Sequence, residues 1–218
     1  MTMNCLVVAA TVIEITPFLE LYRAKNKLPS SIDIDVLITG IGLTATTYSL
    51  TRQLHIKRPD IIIQAGVGGC FDSSIPLGSV LVIKQEAIAD QSVVELDQLK
   101  TLFDLKLVPQ NQYPFSKGWL VNKSEVLKKT KLKKVTGISV NEITTSKQKL
   151  KFYKEIFDPV AESMEGAALH YVCLMEKIPF LQIRAVSNYI AERNKKNWNM
   201  KESIINLNNE LIGLLKKL

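Results

Sequence analysis

Short apolar runs alternate along this chain with stretches whose apolar residues recur at three- and four-residue spacing. The first pattern is that of strands buried on both faces, the second that of helices with one buried stripe. Cys5 to Ala10 is such a run and predicts the first strand. Thr16-Pro17 opens a helix, with threonine as its N-cap and proline at the first helical position. Phe18, Leu21 and Tyr22 form that helix's apolar face. Ile34 to Thr39 predicts a second strand, which ends in Gly40-Ile41-Gly42 and is followed by a helix to about His55. Asp60 to Gln64 predicts a third strand, running into a turn at Ala65-Gly66-Val67-Gly68-Gly69, and Ser79 to Ile83 a fourth. Residues 85–118 carry Pro109 and Pro114 and read as loops and short strands. Further on, the pattern predicts a helix from Ser124 to about Thr130 and a strand from Val135 to Val140. A helix follows over Met164 to Glu176, then a strand over Pro179 to Val186. Ile204, Leu207, Leu211, Leu214, Leu215 and Leu218 mark a long terminal amphipathic helix. Strands alternating with helices predict an α/β protein with a central, largely parallel sheet. No repeat, low-complexity stretch or linker interrupts the pattern, so residues 1–218 are expected to form one domain.

Composition narrows the picture only a little. A chain of this length buries roughly 70% of its unfolded surface and needs no staples. No apolar run approaches the roughly 20 residues that span a bilayer. The N-terminus has no basic region ahead of an apolar stretch, so neither a signal peptide nor a membrane partner is expected, and the location expected is the cytoplasm. Cys5, Cys70 and Cys173 are widely spaced and sit in apolar contexts, while His55 and His170 stand alone. Reduced, buried thiols are expected and no metal site.

The net charge is +7. Much of the lysine lies in one stretch from Lys123 to Lys154. A basic, non-catalytic nucleic-acid module is one way to use such a stretch. These lysines alternate with apolar residues and carry almost no interleaved aromatics, which favours a solvated face and no nucleic-acid partner.

Gly40-Ile41-Gly42-Leu43-Thr44-Ala45 matches a dinucleotide-binding fingerprint between a strand and a helix. The acidic partner should end the next strand. Asp60 has the right separation but begins its strand, behind Pro59, and the fingerprint sits on the second strand. A tight turn is the better reading. The second glycine run could line a ligand or simply turn the chain, and it offers no hydroxyl or arginine for phosphate. Glu14 follows the first strand directly, near the crevice where parallel sheets bind ligands. Glu165 begins a helix, where a carboxylate is favoured by the dipole in any case. Taken singly, each glutamate has a surface reading as good as its functional one.

Their order changes the odds. A glycine turn, a Gly-Gly turn, Ser163-Met164-Glu165-Gly166-Ala167-Ala168 and then Arg184-Ala185-Val186-Ser187-Asn188 resembles the nucleoside phosphorylase/nucleosidase superfamily over essentially the whole chain. Within it, the chain is similar to the methylthioadenosine/S-adenosylhomocysteine nucleosidases and to futalosine hydrolases, notably over residues 162–168 and 179–199. The resemblance implies a three-layer fold with a mixed, largely parallel sheet flanked by helices. It implies a purine nucleoside as substrate, no cofactor, and a homodimer or larger homo-oligomer. Glu14 matches the carboxylate that activates the attacking water, Glu165 the glutamate that holds the ribose hydroxyls, and Met164 the methionine under the sugar. Asn188 stands where the methylthioadenosine enzymes have an aspartate serving the leaving base, with Ser187 and Arg184 holding its geometry. Gly66, Val67, Gly68, Ile143 and Ser163 are expected to line the substrate. Gly66 replaces a serine and Ser163 a glutamate. Phe152 and Ile143 are candidates to stack on the purine, and an unidentified lysine or arginine would meet a substrate carboxylate.

The change from Asp to Asn has chemical content. An ionised carboxylate only accepts hydrogen bonds, whereas an amide also donates two. Adenine presents a 6-amino donor, hypoxanthine a 6-oxo acceptor. An amide at position 188 therefore favours a 6-oxopurine leaving group, and futalosine carries hypoxanthine. No arginine lies close in sequence to the early glycine turns, so water is expected as nucleophile in place of phosphate.

Overall fold

The computed structural model describes residues 2–24, 31–192 and 194–218. Its main sheet contains β1 (Met3–Ala9), β2 (Ile32–Ile38), β3 (Ile61–Cys70), β4 (Val80–Ile88), β7 (Leu120–Val121), β8 (Lys134–Ser139), β9 (Ala161–Ser163) and β10 (Phe180–Tyr189). A separate hairpin pairs β5 (Ser92–Glu95) with β6 (Gln98–Thr101). The helices are α1 (Thr16–Arg23), α2 (Leu43–Ile56), α3 (Lys147–Phe157), α4 (Gly166–Met175) and α5 (Met200–Leu215), with short 3-10 turns at Ile13–Ile15, Glu125–Lys129 and Lys195–Asn197.

The sheet runs β10-β4-β8-β9-β3-β1-β2, and β10 also pairs with β3. The pairing thus closes on itself through β3, β10, β4, β8 and β9, with β1 and β2 as a parallel extension. Most neighbours are parallel, while β10 with β4 and β3 with β9 are antiparallel. This is the α/β, three-layer, mixed-sheet architecture expected from the sequence. Period-two alternation divides the core. Val7, Ile63, Ala65 and Ile183 face Phe18 of α1 and Leu207, Leu211 and Leu214 of α5. Their chain neighbours Leu6, Val8 and Ile62 face Leu50 and Leu54 of α2 and Leu169 and Val172 of α4. The three cysteines are free and buried within these layers.

Several elements differ from the sequence reading. Thr16 is the first helical residue of α1 and not its N-cap, because the 3-10 turn before it already supplies Val12 O for its hydroxyl. Strand β3 does not turn at Ala65 but continues through the glycines to Cys70, since β10 and β9 pair with it there. Strands β4 and β10 likewise run several residues beyond the predicted ends. Residues 125–129 make only a 3-10 turn, capped by the Ser124 hydroxyl. Helix α3 lies where only a run of lysines was read. Those lysines are mostly exposed, and Lys128, Lys149 and Lys151 pair with Glu125, Glu142 and Glu155, as a solvated face should. Among the described residues, no helix is long and apolar enough to cross a membrane.

Candidate active site

The C-terminal ends of β1, β3 and β10 open into a cavity of about 390 Å³. Parallel strands place ligand sites at this end, where loops diverge and helix N-termini point inward. Of the residues singled out from sequence, Glu14, Val67, Gly68, Ile143, Ser163, Met164, Glu165, Ser187 and Asn188 all line it.

Glu14 lies on the 3-10 turn after β1 and is almost fully buried. Its Oε2 accepts from Thr11 N and Thr11 Oγ1, both at 3.0 Å, and its Oε1 accepts from Val67 N at 3.1 Å. The carboxylate is locked in orientation; Oε2 is filled by its two donors, and Oε1 keeps acceptor capacity for a water. Asn208 of α5 braces the turn from behind, donating to Glu14 O at 2.9 Å and accepting from Phe18 N at 3.0 Å.

Glu165 takes the N-cap position of α4. Its Oε1 accepts from Gly42 N at 3.1 Å, and its Oε2 lies 3.4 Å from Arg184 Nη2. The fingerprint at 40–45 thus has a role unrelated to a dinucleotide. Gly42, at a φ of +96°, turns its amide onto this carboxylate. Asp60 sits at the other end of the sheet, accepting from Asn4 N.

Arg184 corrects two expectations. It does not touch Asn188; it binds Gln64 Oε1 at 2.9 Å, Val67 O at 3.5 Å and Glu165. It also brings an arginine beside the second glycine run, which sequence distance had hidden. Yet the residue is 2% exposed, its two Nη groups face these partners while Nε has none, and it does not line the cavity. Gly66 does not line it either. A Cβ there would meet Arg184 Nη1 at 2.1 Å and Glu14 Oε1 at 3.0 Å, so this glycine makes room for the guanidinium under the site.

Asn188 is re-aimed by a β-bulge. Val186 pairs with Gly68 and Asn188 with Gly69, leaving Ser187 as the extra residue. Ser187 Oγ donates to Asn188 Oδ1 at 2.9 Å and also lies 3.2 Å from Gly68 O. Asn188 Nδ2 donates to Tyr189 O at 3.1 Å, so one of its two hydrogens remains for a ligand.

Phe152 is not at the site. It is buried with Tyr153, Ile138 and Val140 in a separate core cluster, because α3 turns that face inward. The sequence reading also missed Trp198, Ile190, Met200 and Glu162, which line the cavity. Trp198 lies inside the resembling stretch 179–199 and Met200 directly after it, a signal that was available. Among the described residues no group of three His, Cys, Asp or Glu side chains could hold a metal.

Residues 33–218 match the phosphorylase superfamily model. The chain belongs to that superfamily. A 5'-methylthioadenosine/S-adenosylhomocysteine nucleosidase of Staphylococcus aureus (strain MRSA252) is 30% identical over 163 residues, which is 72% of this chain and 69% of that protein. Among solved structures, the corresponding Helicobacter pylori nucleosidase, complexed with a substituted pyrrolidin-3-ol, superposes with a TM-score of 0.82 at 20% identity, covering 100% of this chain and 99% of that one. The native futalosine hydrolase of Helicobacter pylori strain 26695 gives a TM-score of 0.79 at 22% identity, with coverage of 100% and 99%. The nucleosidase relatives are enzymes, hydrolases acting on N-glycosyl bonds.

Proposed function

We propose that the protein hydrolyses the glycosidic bond of futalosine, releasing hypoxanthine and dehypoxanthinyl futalosine in futalosine-dependent menaquinone biosynthesis. The observation that carries this reading is Asn188, an amide with a free donor, at the base end of the cavity.

Cleavage of an N-glycosidic bond develops positive charge on the sugar and negative charge on the base. Glu14 takes a proton from the attacking water. Glu165 holds the ribose hydroxyls and balances the growing positive charge. Its carboxylate is set by Gly42 N and Arg184. Asn188 donates to the 6-oxo oxygen while its carbonyl accepts from protonated N7. Water is favoured over phosphate because, among the described residues lining the cavity, there is no lysine or arginine, and the cation expected to meet a substrate carboxylate is likewise not among them. A phosphate nucleophile calls for charged donors.

The futalosine hydrolase neighbour supports this fold for such a substrate, and the Staphylococcus nucleosidase supports the adenine-releasing alternative. Incubation with futalosine, inosine and methylthioadenosine, with and without phosphate, separates them. The expected outcome is hypoxanthine release well above adenine release, free sugar, and no sugar 1-phosphate. Preferential adenine release would assign the protein to the other branch; a sugar 1-phosphate would make it a phosphorylase.

We also propose self-association. A groove of about 1080 Å³ between α2 and α4 exposes Tyr48, Ile56 and Tyr171, an apolar face suited to a second copy of the chain. Sedimentation should show a dimer or larger species, and Tyr48→Asp should shift it toward monomer.

A further inference from the structure

Behind the cavity, Gln182 Oε1, His170 Nε2 and Arg184 Nε are buried without a hydrogen-bond partner. They border Glu86 of β4, a buried carboxyl that the reaction chemistry above does not use. Glu86 Oε1 accepts from Gln182 Nε2 at 2.8 Å, and its Oε2 accepts from Ser139 Oγ at 3.2 Å. His170 Nδ1 donates to Leu120 O at 2.9 Å, so the neutral ring keeps Nε2 as an acceptor. The Gln182 side chain also meets His170. The unpartnered atoms of that pair, Gln182 Oε1 and His170 Nε2, are both acceptors with no hydrogen to share. Buried polar atoms left in this way are costly.

A single proton removes the mismatch. The orientation of a side-chain amide is set by the network around it. With a proton on Glu86 Oε1, Gln182 turns over about its last bond. The acid then donates to Gln182 Oε1, Gln182 Nε2 donates to His170 Nε2, and Ser139 still donates to Glu86 Oε2. Both orphaned acceptors gain a hydrogen. Burial favours the same arrangement, since it raises Glu86 to about 7 and holds His170 neutral by lowering it to about 4. Among the described residues, the charged and titratable groups acting on Glu86 are Arg184 of β10, which favours its ionised form, and Glu165 at the head of α4, which opposes it. His170 of α4 acts through Gln182. Strands β7 and β8 present the Leu120 carbonyl and the Ser139 hydroxyl.

This cluster touches the site at two places. Arg184 is one cation beside two carboxylates: its Nη2 lies 3.4 Å from Glu165 Oε2, and its charge also acts on Glu86. Ser139 Oγ accepts from Ala167 N at 2.8 Å, which ties Glu86 to the first turn of α4, whose N-cap is Glu165. We propose that Glu86 is a positioning residue: as a neutral acid it satisfies Gln182 and His170 and leaves Arg184 to Glu165, and on losing its proton to bulk water it competes for Arg184 and lowers turnover. Ionised Glu86 sets a second negative charge near Glu165 and reverses the amide, so the carboxylate that holds the ribose loses its fixed partner. The inference rests on the reading of Glu165 as that ribose carboxylate.

The test follows kcat and KM against pH, for the native protein and Glu86→Gln, with whichever of futalosine, inosine and methylthioadenosine the native protein cleaves. The glutamine copies the neutral acid, since its amide donates to Gln182 Oε1 and its carbonyl accepts from Ser139. Native kcat/KM should fall by about tenfold or more between about pH 6 and about pH 8.5, with a single alkaline ionisation. The variant should match the native protein at the acid end and keep that value at the alkaline end. The same alkaline fall in the variant overturns the role of Glu86 and leaves the hydrolase reading intact. Cleavage of none of the three nucleosides by the native protein overturns both. A readout free of turnover is 15N NMR of the His170 ring and the Gln182 amide. Their signals should shift together as pH rises in the native protein and stay at their acid positions in Glu86→Gln. Should the variant not fold, the native titration decides alone, and signals that do not shift together overturn the inference.

Discussion

At the scale of single residues, the site depends on which atoms can donate. Asn188 differs from an aspartate by one amide nitrogen, and that nitrogen keeps a free hydrogen after bonding Tyr189 O. Asn188→Asp should therefore lower the ratio of hypoxanthine to adenine release. A buried mismatch of about 1–3 kcal/mol corresponds to roughly five- to over a hundredfold, measured as relative kcat/KM. Glu14 is held by three donors and is the carboxylate proposed above as the base. Glu14→Gln preserves shape but removes the base, so kcat should drop by about 10²–10⁴-fold with substrate affinity little changed. Near-normal turnover would take the base role away from Glu14. Both residues were legible in the sequence through the order of the motifs and the resemblance it carries, since a place at the end of an apolar strand alone left a surface reading open. Glu162 was not, because nothing local distinguishes it from a surface strand residue; only the register across β9, β3 and β10 aims it at the cavity.

At the scale of elements, the site is held by segments that are remote in the chain. Helix α5 supplies Asn208, which caps the first turn of α1 and grips the backbone of Glu14, 194 residues away. Asn208→Ala leaves Phe18 N and Glu14 O unpaired in the core. The expected loss is about 1–3 kcal/mol in stability, read by chemical denaturation, together with a lower kcat as the Glu14 turn loosens. Unaltered turnover would show that the turn holds itself. Strand β3 makes a similar point. Its glycines read as a turn from composition, yet they form the continuous floor of the site. What keeps them small is the crowding of Arg184 and the Glu162 carbonyl against them, not a demand for a tight bend.

At the scale of the whole molecule, a buried polar chain runs behind the cavity. Ser163 Oγ lies 3.4 Å from Ser139 Oγ, which donates to Glu86 Oε2, while Gln182 donates to Glu86 Oε1 at 2.8 Å. Burial pushes the Glu86 carboxyl up to about 7 from an ordinary 4.5, against the Gln182 and Ser139 hydrogen bonds and the charge of Arg184, which favour its ionised form. A folded-state value above the unfolded one gives stability that is complete below about 4.5 and lost as pH rises through about 7. His170 acts in the opposite sense: burial lowers it to about 4 from 6.5, so its contribution is complete above 6.5 and lost as pH falls through about 4. The two slopes offset each other in the acid range and leave the Glu86 loss exposed near neutrality. Glu86→Gln should thus gain thermal stability relative to the native chain as pH is raised from about 6 to 8. A difference in Tm that stays constant over that range would mean that Glu86 is already ionised in the folded protein at about pH 6, with no raised value. The sequence by itself determined the layered α/β architecture, since hydrophobic period fixes which face of each strand and helix must be buried. It also marked Glu14, Glu165 and Asn188 as candidates, through the order of the motifs along the chain. Only the tertiary structure decided which carboxylate meets Arg184, that the Gly40–Gly42 turn serves Glu165, and that Glu162 faces Asn188 across Gly69. Each of these joins residues far apart in the chain, and strand order and register, which set such meetings, depend on the packing of all the elements together.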